Sequence, residues 1–140
     1  MLDVVVVCLA INIYFEARNQ PVEGQVAVSQ VVMNRVDDRR FPDDPCAVIK
    51  QGPRTPTGVP LLHQCQFSWY CDGKSDIPED HDAYRWATIV ALGIMTDRYT
   101  DRVRGATHYH ADHIEPDWPI IKTKTAHIGN HIFYRWEPDT

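Results

Sequence analysis

The stretch Asn12-Ile13-Tyr14-Phe15-Glu16-Ala17-Arg18 closes the first long segment of the chain that lacks Gly and Pro. Residues 3–17 have the length of a helix, and the mostly apolar residues 4–11 predict that this helix is central and buried on most sides. Glu16 would then lie at its C-terminal end, between aromatic residues and a turn at Pro21. A carboxylic acid in poorly solvating surroundings keeps its proton near neutral pH, which suits a general acid.

Two further helices are predicted before residue 52. After the turn at Pro21, apolar side chains recur at three- and four-residue steps, in the stripe Val28, Val31, Val32 and Val36. The polar face of this amphipathic helix is expected to carry Gln25, Ser29 and Arg35. A short helix should begin near Pro45, because proline is accepted in a first turn, and should end before Gly52.

The middle of the chain predicts a loop followed by a fourth helix. Gly, Pro and Thr are dense over residues 52–60, which predicts an exposed loop and the most mobile segment of the protein. Residues 78–82 open a helix that should pack onto the first one. Its packing stripe is expected to contain Ala83, Trp86, Ala87, Val90 and Ile94.

The C-terminal third predicts a small antiparallel sheet. Residues 123–128 and 131–136 flank Gly129-Asn130, a two-residue turn that is favoured in hairpins. Residues 107–111 would supply a third strand. Helices followed by a small sheet make an α+β domain.

Composition limits the organisation of the chain and its partners. With 140 residues, 44% hydrophobic and 24% charged, we expect one globular domain over residues 1–140, working as a monomer. A net charge of −5 without a Lys/Arg run argues against binding to nucleic acid or to an anionic membrane surface. Asp3 stands where a signal peptide carries Lys or Arg, and the apolar start is far short of the roughly 20 residues that span a bilayer. Neither a signal peptide nor a transmembrane helix is expected.

The four cysteines leave the redox state open. Cys8 lies in the apolar first segment and is expected to be a buried thiol, whereas Cys46, Cys65 and Cys71 flank loop-rich sequence. One interpretation is a bridge between two of these last three; the other is reduced thiols packed as small hydrophobic side chains. The spacing does not indicate a zinc finger.

Blocks in a fixed order extend over nearly the whole chain. Besides the Glu16 block they include Cys65-Gln66-Phe67-Ser68-Trp69, Thr107-His108-Tyr109-His110-Ala111, and residues 23–28, 31–36, 41–42, 71–73 and 128–135. In this order they resemble the cell wall hydrolase family typified by the spore cortex-lytic enzyme SleB. The resemblance implies a lysozyme-like fold, similar to goose-type lysozymes and lytic transglycosylases, with the active-site groove between the helical body and the hairpin.

The resemblance also implies a reaction. Glu16 matches the catalytic glutamate of the family, which acts on the MurNAc-GlcNAc β-1,4 bond of peptidoglycan glycan strands without a cofactor or metal. No second carboxylate stands out, since Asp72 precedes a glycine and has the sequence context of a turn residue. A single acid suits a lytic transglycosylase that forms 1,6-anhydro-muramic products; a hydrolytic muramidase is the alternative.

The predicted substrate-binding residues combine aromatic faces with amide and hydroxyl groups, as sugar subsites usually do. One short segment, 66–69, has this mixture, and the sheet-side residues match the family's His-Tyr-His-Ala block and the Pro-x-Trp that follows it. The set consists of Tyr14, Gln66, Phe67, Ser68, Trp69, Tyr109, His110 and Trp118. For Phe67, Trp69 and Trp118, packing in the core or in a loop is the competing interpretation.

Two rival functions come from other classes. His108 and His110 alternate onto one face of a strand, and His127 with His131 or His113 could complete the zinc site of a wall amidase or peptidase. The other rival is a non-catalytic wall-binding module of the same fold. The intact block around Glu16 argues against the module, which has no use for a buried acid.

The expected setting is bacterial cell lysis. Without a signal peptide, the protein would be a phage endolysin made in the host cytoplasm and released to the periplasm and wall by a holin. Its Gln66-Phe67-Ser68-Trp69 segment resembles phage and Gram-negative members of the family more than the spore enzymes. A bacterial or prophage-derived enzyme is the alternative.

Overall fold

A computed structural model describes residues 2–138 of the chain. Its elements are the helices α1 (Leu2–Ala17), α2 (Val22–Val36), α3 (Pro45–Ile49) and α4 (His81–Met95), and the strands β1 (His108–Ala111), β2 (Lys122–Ile128) and β3 (His131–Trp136). A 3₁₀ turn, Ser68–Cys71, lies between α3 and α4. Every predicted helix and strand is present, so the α+β class is confirmed.

Helix α1 is the central element and contacts the three other helices. Leu9 and Ile13 are fully buried in the main apolar cluster. Val4 and Val7 are 61% and 46% exposed, so one solvent-facing stripe interrupts the burial predicted for residues 4–11. Within residues 2–138, no helix has the length and apolarity needed to cross a membrane.

The prediction that the polar residues of α2 face solvent is wrong. Gln25, Ser29 and Arg35 are all buried. The reason is that α2 contacts the other helices on one side and the sheet on the other, which leaves little of its surface to water. Each side chain compensates its burial by donating to a main-chain carbonyl: Gln25 to Ala17, Ser29 to its own helix and Arg35 to Thr107.

Helix α4 packs onto α1 as predicted, through a narrower face than expected. Asp80 caps its first turn by accepting a hydrogen bond from the Ala83 N–H at 3.1 Å. Ala87 and Val90 are buried, but Trp86 is 60% exposed. The prediction that Trp86 belongs to the packing stripe is therefore wrong. Trp86 precedes Ala87, about 100° around the helix, and therefore lies outside the face that meets α1.

The loop predicted over residues 52–60 contains no helix or extended strand. An isolated bridge pairs Arg54 with Pro60, and the Arg54 guanidinium donates to the Gly58 carbonyl at 3.0 Å. The segment is mostly exposed. Its mobility stays a prediction.

The sheet has the order β1-β3-β2, with both pairs antiparallel. Gly129 adopts a positive φ of 57° in the turn between β2 and β3. The neighbouring Asn130 N–H donates to the Gln20 side-chain oxygen at 3.0 Å, so the turn docks against the connection between α1 and α2. A Cβ at Gly129 would clash with that oxygen, so a larger residue would push the Gln20 side chain away and disturb this contact, besides straining the positive φ. This contact sets the sheet beside the end of α1 that carries Glu16.

The four cysteines, all within the described residues, form two disulfides. Cys8 bridges to Cys46 and ties α1 to α3, and Cys65 bridges to Cys71 around the 3₁₀ turn. The expectation that Cys8 is an unpaired buried thiol was therefore wrong, since the start of α3 approaches α1 closely enough for a bond. The Cys65–Cys71 bridge corresponds to one of the pairings left open by the sequence.

Candidate active site

A cleft of about 110 Å³ opens where the C-terminal ends of α1 and α2 meet strand β1. A loop between α3 and α4 forms its far wall. The residues that line it are Glu16, Arg35, Gln66, Phe67, His108, Tyr109 and Trp118. The resemblance placed the groove against the hairpin; the sheet side of the cleft is instead strand β1 and the connection that follows it. Five of the nine predicted catalytic and substrate-binding residues are brought together here.

Glu16 has the environment of a general acid. Its carboxyl is partly buried, and this burial raises its pKa above the ordinary range, although the hydrogen bond from Tyr109 and the positive charge of Arg35 pull the pKa down. The Tyr109 hydroxyl donates to Glu16 Oε1. Burial, together with the charge of Glu16, raises the pKa of Tyr109 well above its usual range, so the phenol stays protonated and keeps donating. Tyr109 therefore fixes one oxygen of the Glu16 carboxyl in the cleft.

Arg35 supplies a buried positive charge to the same cleft. Its Nε donates to the Thr107 carbonyl at 2.7 Å and its Nη1 donates to the Gln66 side-chain oxygen at 3.3 Å. The guanidinium carbon lies 4.8 Å and 5.5 Å from the ring centres of Phe41 and Phe67. Burial lowers the pKa of Arg35 to about 10, which still leaves it charged at neutral pH.

Sequence reasoning missed Arg35 as a site residue. The signal was available in its position, since it follows Val31 and Val32 at the four- and three-residue steps that define the apolar face of α2. An arginine on that face has to be buried, and a buried arginine needs partners. The solvent-facing prediction for Arg35 rests on its polarity and neglects its helical position.

The loop between α3 and α4 presents Gln66 and Phe67 to the cleft. The Cys65–Cys71 bridge closes this loop over a sequence separation of 6, and the Gln66 N–H donates to the Gln51 carbonyl at 2.9 Å. Ser68 is exposed at the start of the 3₁₀ turn and does not line the cleft.

Tyr14 and Trp69, both predicted to bind substrate, lie in the interior. The Trp69 indole N–H donates to Asn12 Oδ1 at 2.8 Å, and its ring stacks on Phe15 with centres 5.2 Å apart. The Tyr14 hydroxyl accepts the Asp80 N–H at 3.0 Å. Both residues anchor the helix that presents Glu16. Aromatic residues near polar ones are typical of a sugar subsite and of a buried anchor alike, so the sequence could not separate the two.

Trp118 and His110 lie on the outer side of strand β1. Trp118 lines the cleft, and its ring lies 5.2 Å from His108, 5.7 Å from His110 and 5.8 Å from Tyr134. His110 is outside the lining residues. It is held by the Ala111 carbonyl at 2.7 Å and by the Tyr134 hydroxyl at 2.9 Å. The structure therefore places His110 behind Trp118, as part of its support.

The cleft is a single-acid site within the described residues. Of its lining residues, Glu16 alone carries a carboxyl group. Asp72 accepts the Lys74 N–H at 2.9 Å, which is a local turn contact. The arrangement matches chemistry in which one group acts first as acid and then as base.

The histidines of the zinc alternative do not converge. His108 is hydrogen-bonded to Thr107, and His110 to Tyr134. In the part of the chain from 2 to 138, no three His, Cys, Asp or Glu side chains are arranged to hold a metal ion. The geometry therefore favours the carboxyl group as the reactive centre.

Comparison with known proteins gives a consistent result. A family model described as Cell Wall Hydrolase matches residues 19–134, beginning three residues after Glu16. The chain is 33% identical over 126 residues to the spore cortex-lytic enzyme of Halalkalibacterium halodurans, covering 89% of this chain and 33% of that protein. It is 46% identical over 125 residues to the spore cortex-lytic enzyme of Bacillus subtilis, covering 89% and 35%. The chain thus spans about a third of the length of these curated relatives.

Two solved structures resemble the fold. The catalytic domain of the Bacillus cereus SleB protein superposes with a TM-score of 0.62 at 25% identity, covering 92% of this chain and 88% of that one. The catalytic domain of the germination-specific lytic transglycosylase SleB from Bacillus anthracis gives a TM-score of 0.63 at 27% identity, covering 92% of each. These similarities confirm the expected lysozyme-like fold.

Proposed function

The chain belongs to the cell wall hydrolase family, and from this premise we propose that it cleaves the bond between N-acetylmuramic acid and N-acetylglucosamine in peptidoglycan as a lytic transglycosylase. One observation carries the proposal. The partly buried Glu16 is the one carboxyl group among the described residues lining the cleft, and Tyr109 holds it. The similar catalytic domain from Bacillus anthracis is that of a lytic transglycosylase, which is consistent with this chemistry.

The first step needs a proton on the leaving oxygen. Glu16, whose pKa is raised by burial, donates its proton to the glycosidic oxygen as the bond from that oxygen to C1 of the muramic acid breaks. Positive charge develops on the sugar ring, while Glu16 becomes a carboxylate. The Tyr109 hydroxyl and the Arg35 charge stabilise that carboxylate.

The second step returns the proton. The Glu16 carboxylate accepts the proton of the 6-hydroxyl on the same muramic acid, and the oxygen bonds to C1 to close a 1,6-anhydro ring. No water is consumed, and Glu16 ends the cycle protonated. A hydrolytic muramidase would instead need a group that activates water, usually a second carboxylate, and no other carboxyl group lines the cleft within residues 2–138.

The biological setting is a further part of the proposal. We propose that the protein acts in bacterial cell lysis as a monomeric phage endolysin, made in the host cytoplasm and released by a holin. The resemblance of residues 66–69 to phage and Gram-negative members of the family, rather than to the spore enzymes, supports this setting. The two disulfides support action in an oxidising compartment such as the periplasm or wall.

The test is a digest of purified peptidoglycan by the wild-type protein and by Glu16→Gln, with the muropeptides identified by mass spectrometry. We expect anhydro-muramyl products that disappear in the variant. If the products instead carry reducing-end muramic acid and depend on Glu16, the activity is that of a muramidase and not that of a transglycosylase. Free stem peptides, or lysis that survives the substitution, would overturn the role of Glu16.

A further inference from the structure

His108 is a lining residue of the cleft that the proposed mechanism does not use. It opens strand β1, next to Tyr109, and is partly buried. The rings of Trp118, Trp136 and Phe41 surround it at centre distances of 5.2, 5.8 and 6.1 Å. Such packing on several sides holds the imidazole in one orientation.

The hydrogen bonds of Thr107 determine the tautomer of this imidazole. The Thr107 hydroxyl oxygen accepts the main-chain N–H of Trp136 at 3.1 Å and lies 2.9 Å from His108 Nδ1. Thr107 is buried, so its hydroxyl hydrogen needs a protein acceptor, and Nδ1 is the one within reach. Nδ1 therefore accepts, and the neutral ring carries its proton on Nε2.

The Nε2 edge of His108 is accessible to solvent, and His108 is a lining residue of the cleft. Within residues 2–138, Nε2 has no hydrogen-bond partner, and it is not among the buried polar atoms left without one. Burial lowers the pKa of His108 to about 4, aided by the positive charges of Arg35, Arg40 and Lys122 and opposed by Asp38. The ring is therefore neutral at the pH of a living cell and presents an N–H donor without a charge.

We propose that His108 is a substrate-positioning residue, whose Nε2–H donates a hydrogen bond to an acceptor oxygen of the glycan in the cleft. The inference rests on the proposed glycosidase function. Glycan strands offer hydroxyl and N-acetyl carbonyl oxygens as acceptors, and the adjacent Trp118 ring offers an apolar face to the sugar beside them. The hydrogen bond would fix the sugar relative to Glu16 without supplying a proton to the reaction.

The test pairs two substitutions that differ in the donor. His108→Phe keeps a ring for Trp118, Trp136 and Phe41 to pack on but removes the N–H, whereas His108→Gln can place an amide N–H near the position of Nε2. His127→Phe, the same change at an exposed position of β2, is the matched control. Steady-state kinetics use soluble peptidoglycan glycan-strand fragments, and melting temperatures monitor folding.

We expect His108→Phe to raise KM about tenfold with a smaller change in kcat, and His108→Gln to recover most of the loss. His127→Phe should match the wild type. Wild-type kinetics from His108→Phe would overturn the proposal, and so would a His108→Gln variant as impaired as His108→Phe.

A second measurement needs no variant to fold. In a long-range ¹H–¹⁵N spectrum of the ¹⁵N-histidine-labelled wild-type protein, we expect His108 to show the Nε2–H tautomer at pH 7. An Nδ1–H tautomer or an imidazolium would overturn the proposal. The result is separable from the proposed function, because wild-type protein that cannot cleave glycan strands would defeat the function whatever the tautomer.

Discussion

The cleft has two walls that differ in how the fold supports them. The helix wall consists of Glu16 and Arg35, carried on helices packed in the core. The loop wall consists of Gln66, Phe67 and Trp118, carried on connections that are held by a disulfide and by ring contacts. Reactive groups must be held within a fraction of an ångström, whereas sugar contacts can be individually weak. The difference suggests that the helix wall determines the rate of the chemical step and the loop wall determines affinity.

The largest expected effect comes from the helix wall. Glu16→Gln keeps the size of the side chain but removes the transferable proton, so kcat on peptidoglycan should fall about 10³-fold. The melting temperature should change little. Glu23→Gln, the same change at an exposed position in the first turn of α2, is the control and should retain full activity. A Glu16→Gln variant that keeps a tenth of the wild-type kcat would contradict the inference that the helix wall determines the rate of the chemical step.

The two disulfides, one between helices and one within the loop, can be compared by their contributions to the free energy of unfolding. By loop-closure entropy, Cys8–Cys46, with a sequence separation of 38, should contribute about 4 kcal/mol to the free energy of unfolding. Cys65–Cys71, with a separation of 6, should contribute about 2 kcal/mol. Denaturant unfolding of the paired alanine variants measures both values.

The kinetics of these variants should show the opposite order. Cys65→Ala/Cys71→Ala frees the segment that presents Gln66, so KM should rise. Cys8→Ala/Cys46→Ala should leave the kinetics of the folded fraction unchanged, because that bridge lies between α1 and α3, away from the cleft lining. If instead Cys8→Ala/Cys46→Ala raised KM and Cys65→Ala/Cys71→Ala did not, the loop would not depend on its disulfide for substrate binding.

Local features of the molecule can be predicted from the sequence, whereas features that depend on long-range packing cannot. The helices follow from apolar periodicity, and the hairpin follows from Gly129-Asn130, because both signals are local. Glu16 follows from its own block for the same reason. The Cys8–Cys46 pairing does not follow from any local signal, since it depends on how α3 packs onto α1.

Burial explains the errors at the site itself. The charge of Arg35 predicts an exposed side chain, although α2 is enclosed on two sides. The chemistry of Tyr14 and Trp69 predicts contact with substrate, although both side chains are buried and hydrogen-bonded within the protein. In each case the residue type has two common uses, and the choice between them depends on long-range packing that a single sequence does not contain.

Tyr109, on the strand between the walls, gives a prediction about pH. Its hydroxyl donates to Glu16 and thereby favours the ionised carboxylate, which lowers the pKa of Glu16. Tyr109→Phe removes this effect, so the pKa of Glu16 should rise further. The enzyme needs Glu16 protonated, and activity is lost as pH rises through this pKa. The alkaline limb of kcat/KM should therefore move to higher pH.

The control for this experiment is Tyr99→Phe, which removes a phenol outside the cleft and should leave the pH profile unchanged. A downward move of the alkaline limb in Tyr109→Phe would mean that the phenol stabilises the protonated acid instead of the carboxylate. An unchanged limb would mean that the observed ionisation belongs to another group.

The smallest expected effect lies in the loop wall. Trp118 contacts His108, His110 and Tyr134 and contributes a ring face to the cleft, so Trp118→Ala should raise KM for soluble glycan strands roughly three- to tenfold. Its kcat should stay near the wild-type value, because Trp118 offers the sugar an apolar surface and no transferable proton. Trp86→Ala is the matched control, since Trp86 is 60% exposed on α4. A fall in kcat at constant KM would place Trp118 with the helix wall, and the two walls would no longer divide affinity from rate.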